Sequence, residues 1–329
     1  IVTPYRNTKH RPRTEEELIM VATTSKPRLQ VTYETEIRPK VLEKFSLDNV
    51  HQAPKLEKIV VNTGVGKYKA VQESFTETLA NPLLEVDMGP GEPKVGKLRS
   101  FDPDLIYCIG AKAYSYAIRN FPREEIVFSS IINWLRLPVS GKTYGVSNEL
   151  PVRMPLMMYR YIFPEIKTIG ILYSRQYTEE WFEKTRAQAE ELGITVIGQQ
   201  VSKKGGTIAA LDELSPKVEA LWLIPDPLVM PEKEYLYRIL ETSDARQLPV
   251  FSYHDAFALF GAVLIVSVDD PTIGRQAAGI AMDLLSGKTL ADRIQFPAGS
   301  SITLNMKKID AYGLEYNKNA LSTVNNIIK

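Results

Sequence analysis

Short apolar runs alternate with amphipathic stretches from residue 55 onward, and this alternation predicts strands and helices in turn. Most of the apolar runs are hydrophobic throughout, which is typical of parallel strands buried on both faces. The first series has predicted strands at residues 58–64, 82–89, 103–110 and 124–132, separated by helical spacing at 68–80 and 111–121 and by a Gly/Pro-rich turn at 90–96. Helices between parallel strands indicate right-handed crossovers, so the sequence predicts an α/β domain.

A second series follows a helix predicted over residues 151–166. Its predicted strands lie at residues 167–174, 194–202, 217–226, 248–254 and 261–269, and its helices at 178–193, 208–215 and 232–247. A helix at 271–288 and a tail holding a strand and a short helix complete the chain. A series of four strands and one of five, then a helix and a returning strand, predict two Rossmann-like lobes with parallel sheets, joined by a hinge that the chain crosses several times.

The lobe boundaries follow from this pattern. Residues 1–54 are predicted to be an N-terminal extension, partly helical or disordered. Residues 55–145 with 270–295 make lobe one, and 146–269 with 296–329 make lobe two. The first crossing is expected near residues 140–151, a segment rich in Gly and Ser. Two such lobes with a cleft between them are typical of a hinged receptor for a small molecule.

Composition excludes several classes of protein. The 329 residues are 44% hydrophobic and 24% charged with a net charge of +1, so no global basic field favours nucleic acid. Cys108 is the single cysteine and lies in an apolar run, which indicates a buried thiol. The longest apolar run, residues 258–268, is too short for a spanning helix, and no signal peptide is visible.

The candidate catalytic motifs in the sequence lack the residue spacing that their chemistry requires. The two SGKT tetrapeptides at residues 140–143 and 286–289 lack the upstream glycine of a phosphate loop, because Arg136 and Met282 occupy that position. Glu149 replaces the second glycine of a nucleophile elbow around Ser147. The three histidines are not in ligand spacing. We therefore expect no catalytic residue, no metal and no cofactor.

Residues 58–329 resemble one family of ABC-transporter substrate-binding proteins, the type-1 periplasmic-binding-fold members associated with aromatic amino acids. The resemblance rests on an ordered set of segments, among them PDLIYCIGAKAYSYA, YGVSNELPV, VEALWLIPDPLV, ITLNMKKIDAYGL and, most specific, residues 248–288. One departure is the segment SSIINWLRLPVSG, which lacks the Asp-Pro turn usual after the family's fourth strand. This departure leaves room for a ligand other than the amino acids that the family binds.

This resemblance implies a non-enzymatic solute-binding component of an ABC import system, which closes two lobes on an amino acid or similar small carboxylate. The implied partners are that ligand and a membrane permease, with no nucleic acid. The implied protein is a monomer on the periplasmic or extracellular side of the cytoplasmic membrane. A ligand-sensing domain of the same fold in signalling is the alternative; a kinase or DNA-binding segment would favour it.

A second resemblance covers residues 26–66, which look like the opening of the large-subunit ribosomal protein that binds 5S rRNA. One helix and one strand are too few to build that protein's core. We interpret the segment as a fused extension that adds a helix at residues 35–45, while residues 58–64 serve as the first strand of lobe one. RNA binding through it remains an alternative, which tight, salt-dependent binding to 5S rRNA would support.

Ligands of parallel α/β sheets bind outside the carboxyl ends of the strands, where helix N-termini offer free N–H groups. This rule selects twelve ligand-binding candidates: Asn62, Thr63, Tyr68, Gly110, Ala111, Ser129 and Ser130 in lobe one, and Tyr173, Ser174, Asp226, Tyr253 and His254 in lobe two. Gly110 and Ala111 would offer backbone N–H groups to a ligand carboxylate, and Ser129 a hydrogen bond.

The resemblance adds that Asp226 lies in the family's acidic loop, where it would pair with a ligand ammonium group. Tyr173 and Tyr253 would stack on an apolar or aromatic moiety. Structural interpretations stay open beside these: Gly110 as a strand-end turn, Asp226 as the cap of the next turn, and both tyrosines as packing. Trp134 and Trp222 are assigned to the core.

Overall fold

The structure, a computed structural model, describes residues 68–79 and 83–329, the backbone of residues 59–63, and positions 35, 39, 40 and 43. Residues 58–329 form one compact unit and residues 1–57 another. The predicted N-terminal extension and its helix at residues 35–45 lie largely outside the described residues, as does most of the ribosomal-like segment.

Two sheets organise the described unit. The strands of the first are β1 Ile59–Thr63, β2 Leu83–Asp87, β3 Leu105–Ile109, β4 Glu125–Ser129, β5 Thr143–Val146 and β11 Ile294–Gln295. They pair in the order β11-β5-β4-β3-β1-β2, and every pairing is parallel. All five residues of β3 are buried, as expected for a central strand covered on both faces.

The helices of this layer are α1 Lys69–Thr78, α2 Val95–Phe101, α3 Ala111–Asn120 and, from much later in the chain, α8 Asp270–Leu285. Helix α8 packs on α1, and Ile273 lies in one apolar cluster with Val71, Phe75 and Tyr107. The rings of Phe75 and Tyr107 stack with centroids 3.8 Å apart. This packing places α8 with the first sheet, and we call the layer around that sheet lobe one.

The layer around the second sheet is lobe two. Its strands are β6 Thr168–Tyr173, β7 Thr195–Gln200, β8 Ala220–Trp222, β9 Val250–Ser252, β10 Leu264–Val268, β12 Ser300–Asn305 and β13 Asn326–Ile328. The order is β13-β12-β10-β9-β8-β6-β7. The pairing of β10 with β12 is antiparallel, and the other pairings are parallel. The sheet thus contains one antiparallel pairing among parallel ones, because β12 enters lobe two from β11 of lobe one and runs back along β10.

Five helices belong to lobe two: α4 Arg153–Ile162, α5 Glu179–Glu191, α6 Thr207–Leu214, α7 Lys233–Asp244 and α9 Met306–Tyr312. Short 3₁₀ helices lie at Trp134–Arg136, Ser215–Lys217, Asp255–Phe260 and Lys318–Thr323. None of the described helices has both the length and the apolar composition that crossing a membrane requires. The chain passes between the two sheets three times, after β5, after β10 and after β11. The α/β fold with two lobes and several crossings is as predicted, while the residue boundaries of the lobes stay a prediction.

Two local predictions need correction. Residues 143–146 form β5, although the sequence analysis placed only a crossing there, because a four-residue strand with a central glycine gives little pattern. Gly145 is required, since a Cβ there would lie 2.6 Å from the carbonyl oxygen of Phe128 on the neighbouring strand. The turn predicted up to residue 96 overlaps the start of α2. The N-cap of α8 is Asp269, whose carboxylate accepts the Thr272 N–H.

Candidate functional site

A cleft lies between loops of lobe one and the facing wall of lobe two, with about 690 Å³ of empty space, part of it open to solvent. Its lining residues are Ile132, Asn133, Asn148, Glu149, Leu150, Pro155, Tyr159, Thr178, Trp181, Trp222, Leu223, Ile224, Pro225, Tyr253, Val266 and Val268. These described residues are mainly apolar, and Glu149 is the one carboxylate among them.

Four aromatic side chains give the cleft its character. Tyr159 of α4 and Trp181 of α5 both meet Trp222 of β8 edge to face, with centroids 5.2 and 5.4 Å away. Tyr253, directly after β9, is the fourth. These residues come from four separate segments of the chain, and only the tertiary fold brings them together. Such rings offer large flat surfaces to an apolar or aromatic ligand.

Tyr159 is 2% exposed, and its hydroxyl has no hydrogen-bond partner among the described residues. Burial raises the pKa of this phenol well above its ordinary value, so the group stays a neutral donor. A buried hydroxyl without a partner is costly in free energy unless a further group satisfies it. Because Tyr159 lines the cleft, a bound ligand is a candidate for that group.

The polar wall of the cleft is built by the loop after β4 and the crossing after β5. Ser130 and Asn133 both have φ of +57° without being glycine, a backbone region that stores strain. The Asn133 N–H donates to Oε1 of Glu149. Asn148 N–H donates to the Ile131 carbonyl at 3.3 Å, which ties the crossing to the loop. The strained loop therefore holds Glu149 against the cleft.

Burial raises the pKa of Glu149, and the Asn133 N–H and the positive charge of Arg136 oppose that rise. A carboxyl group that loses water without gaining a full counter-charge is a candidate for binding a cation. In the part of the chain that the structure describes, no three His, Cys, Asp or Glu side chains cluster as a metal ion would require.

Asp226 has the surroundings of the cap that the sequence analysis left open beside its role as an ammonium partner. Its Oδ2 accepts hydrogen bonds from Ser174 N, Ser174 Oγ and Thr178 Oγ1 at 2.9, 2.7 and 2.5 Å. Its Oδ1 accepts from the N–H groups of Leu228 and Val229 at 2.7 and 3.1 Å. The side chain is 2% exposed and lines a neighbouring open groove instead of the aromatic cleft. Five donors already satisfy the carboxylate, so the geometry favours the cap over an ammonium partner.

Of the predicted lobe-one residues, those whose side chains the structure describes are not among the residues that line the cleft. The side chains of Asn62 and Thr63 lie outside the described residues. Tyr68 precedes α1, and its ring would be 3.6 Å from a Cβ on Gly110. Gly110 has φ of +87° and donates its N–H to the Ser129 carbonyl at 2.9 Å, as a strand-end turn does.

The other lobe-one candidates surround this turn. Ala111 is exposed at the start of α3. The Ser129 hydroxyl shares a 2.6 Å hydrogen bond with Tyr107. Ser130 is 2% exposed, and its hydroxyl has no partner among the described residues. A ligand role for these residues stays a prediction.

The predicted lobe-two residues divide between cleft and core. Tyr253 lines the cleft, and burial raises its pKa to about 12. Tyr173 instead stacks on Phe182 with ring centroids 4.3 Å apart and is not among the lining residues, so its role as a ligand platform stays a prediction. The ring turns toward α5 because successive side chains of a strand face opposite sides. Ser174 is buried on Asp226, and His254 caps the 3₁₀ helix Asp255–Phe260.

Sequence reasoning missed Tyr159, Trp181 and Glu149, and assigned Trp222 to the core alone. Trp222 is indeed 4% exposed in the core, yet it also lines the cleft. Tyr159 and Trp181 lie on helices, and the rule that ligands bind at the carboxyl ends of strands selects no residues within helices. Glu149 stands in the crossing segment that the sequence singled out, but no pattern there indicates which way its side chain points.

A family model described as ABC transporter substrate binding protein matches residues 95–328. The chain belongs to this family. A curated relative, the tyrosine-binding protein of Clostridioides difficile strain R20291, is 22% identical over 251 residues, which cover 70% of this chain and 72% of the relative. The resemblance to substrate-binding proteins in the sequence is thereby confirmed.

Solved structures of low sequence identity show the same fold. A ligand-free, open substrate binding protein with adhesive properties from Clostridium difficile has a TM-score of 0.66 at 16% identity, covering 83% of this chain and 99% of its own. An ABC domain in complex with L-Trp from Streptococcus pneumonia has a TM-score of 0.58 at 17% identity, with coverage of 83% and 100%. The type-1 periplasmic-binding fold with two lobes is confirmed.

The ribosomal resemblance is also found, in part. The large ribosomal subunit protein uL5 of Limosilactobacillus reuteri is 59% identical over 123 residues, which is 37% of this chain and 66% of that protein. The uL5 of Clostridium tetani is matched over 39% of its length. Since the chain spans less than two thirds of these relatives, their activity stays outside what is shown for this substrate-binding protein.

Two polar contacts join the lobes beside the cleft. Arg136 donates from Nη2 to the Tyr177 carbonyl at 2.5 Å, and its guanidinium carbon lies 4.5 Å from the centre of the Tyr177 ring. Asn133 Nδ2 donates to the Pro225 carbonyl at 3.2 Å. Both donors belong to the loop after β4 and both acceptors to loops of lobe two. These contacts stabilise the approach of the two lobes.

We expect Arg136→Ala to shift a hinged protein toward a more open form. Losing one exposed charged contact and its cation–π partner removes about 0.5–1 kcal/mol, or about two- to fivefold in the population ratio. Small-angle scattering of the unliganded protein should show a larger radius of gyration. Arg153→Ala, which removes an exposed ion pair with Glu191 inside lobe two, is the control. Identical profiles for both variants would show that Arg136 does not hold the lobes together.

Proposed function

We propose that this substrate-binding protein is the non-enzymatic receptor of an ABC import system and that it closes its two lobes on a small ligand with an aromatic or apolar body. One observation carries the proposal: four aromatic side chains from separate elements line an interlobe cleft that holds a single carboxylate. Printed names of the relatives point the same way, since one is tyrosine-binding and one structure holds L-Trp. An aromatic amino acid is the first ligand to test.

The remaining parts of the proposal follow from the family. A receptor of this kind works on the outer face of the cytoplasmic membrane, as a monomer, and delivers its ligand to a membrane permease. The described cleft offers binding surfaces and no nucleophile–base pair, and this supports transport over catalysis. A signalling sensor and RNA binding through residues 26–66 stay the alternatives.

Tryptophan fluorescence gives a direct test, because Trp181 and Trp222 line the cleft while Trp134 packs beside Phe128 of lobe one, with ring centroids 6.2 Å apart. We expect L-tyrosine or L-phenylalanine to cause a saturable change in emission. At a ligand concentration of 100 times Kd, the free energy of unfolding should rise by about 2.7 kcal/mol.

Two tryptophan variants locate the signal. Trp134→Phe should keep the ligand-dependent change, whereas Trp181→Phe should reduce both its amplitude and the affinity. A flat titration together with an unchanged melting temperature for every aromatic amino acid would exclude this ligand class. An equal response in both variants would place the ligand outside the cleft.

A further inference from the structure

The charge of the cleft lining has one sign. Glu149 is the one carboxylate among the described lining residues, and that set contains no Lys, Arg or His. Glu149 also forms no ion pair with any described Lys or Arg side chain. The positive charge of Arg136 acts on Glu149, but the Arg136 guanidinium itself contacts the Tyr177 carbonyl and ring. The site therefore presents an unpaired negative charge to whatever enters it.

The Glu149 carboxylate has room for a further donor. Within the described residues, the Asn133 N–H to Oε1 is its one hydrogen bond, so Oε2 accepts none. Its backbone is fixed, since Ser147 Oγ donates to the Glu149 carbonyl at 3.0 Å. Burial of the group, which raises its pKa, makes the ionised form costly until a cation pairs with it. An ammonium group supplies both the charge and the missing donors.

The cleft offers a ligand carboxylate no cationic side chain among the described lining residues. Two of its lining donors are already occupied, because Thr178 Oγ1 donates to Asp226 and Asn133 Nδ2 donates to the Pro225 carbonyl. The Tyr159 hydroxyl is a neutral donor. A ligand carboxylate would also meet the negative charge of Glu149 without a compensating cation. Aromatic rings, by contrast, favour a cation through their electron-rich faces.

We infer that the cleft recognises its ligand by an ammonium group bound to Glu149, so that aromatic amines without an α-carboxylate are ligands of the same site. The inference rests on the proposed function and narrows its ligand class. It also moves the ammonium partner from Asp226, which the sequence favours, to Glu149.

A matched set of three compounds tests this inference by isothermal titration calorimetry on the full chain. L-Tyrosine carries both charged groups, tyramine lacks the carboxylate, and 3-(4-hydroxyphenyl)propionate lacks the ammonium group. We expect tyramine to bind within about tenfold of tyrosine, and the propionate to bind at least about 100-fold more weakly, as loss of a charge-assisted hydrogen bond implies.

Variants at one position complete the test. Glu149→Gln should weaken tyrosine and tyramine by about 10- to 100-fold and leave the propionate unchanged or slightly tighter. Glu149→Asp keeps the charge and should retain part of the amine binding. Glu179→Gln, which removes an exposed carboxylate on α5, is the control and should change nothing. Melting temperatures of all variants establish that each is folded.

The outcomes separate the two proposals. Equal affinity for tyrosine and the propionate, or no effect of Glu149→Gln, would overturn the ammonium assignment while the aromatic receptor stands. If none of the three compounds binds, the aromatic ligand class fails, and a set of aliphatic primary amines decides the inference. Binding of one that Glu149→Gln abolishes would support it, and binding of none would overturn it.

Discussion

Replacing Asp226 with alanine should destabilise this protein by about 3–5 kcal/mol, because the change leaves buried donors without an acceptor. The carboxylate accepts five hydrogen bonds, two from Ser174, one from Thr178 and two from the backbone N–H groups of Leu228 and Val229. The site is 2% exposed, so water cannot replace the lost acceptor freely. Thermal unfolding followed by circular dichroism should show a fall in Tm on the order of 10 °C.

Asp310→Ala is the matched control, since Asp310 is exposed on α9 and its substitution should change stability by no more than about 0.5 kcal/mol. Asp226→Asn should fall between the two variants, because its side-chain oxygen still accepts while its amide nitrogen faces donors. A different result would restore the original hypothesis. If Asp226→Ala kept a normal Tm but lost ligand binding, the carboxylate would be a ligand contact, as the sequence first indicated.

The second large effect is expected at Gly274, where α8 lies against α1. A Cβ at this position would sit 2.3 Å from the Val71 carbonyl oxygen and 3.0 Å from the Phe75 nitrogen. Both are backbone atoms of a packed helix, so neither gives way without moving α1. We expect Gly274→Ala to cost about 2–3 kcal/mol, since the clash outweighs the gain in helix propensity. The midpoint of urea denaturation measures this loss.

Gly279→Ala offers a control in the same helix. A Cβ there meets no atom within 4 Å, so alanine should add about 0.5–1 kcal/mol of stability by lowering the entropy of the unfolded chain. The two variants should therefore move the midpoint in opposite directions. A midpoint for Gly274→Ala at or above that of the natural chain would mean that α8 does not press on α1 as described.

The sequence by itself determined the fold class of this protein. Uniformly apolar runs such as β3 predict strands buried on both faces, and helical spacing between them predicts the crossovers, because these periodicities are local properties of the chain. The same segments in order carried the family resemblance that the comparison confirmed. Short elements such as β5 and α2 were not predicted, because four to seven residues contain too little periodicity.

The tertiary structure alone decided the candidate site. Tyr159, Trp181 and Trp222 come from two helices and a strand, and their shared surface exists only once α4 and α5 pack on the second sheet. The surroundings of Asp226 and Glu149 were likewise decided by the fold. A sequence shows that a carboxylate is present, but its function depends on which donors surround it. Five donors close on Asp226, whereas Oε2 of Glu149 accepts no hydrogen bond from the described residues.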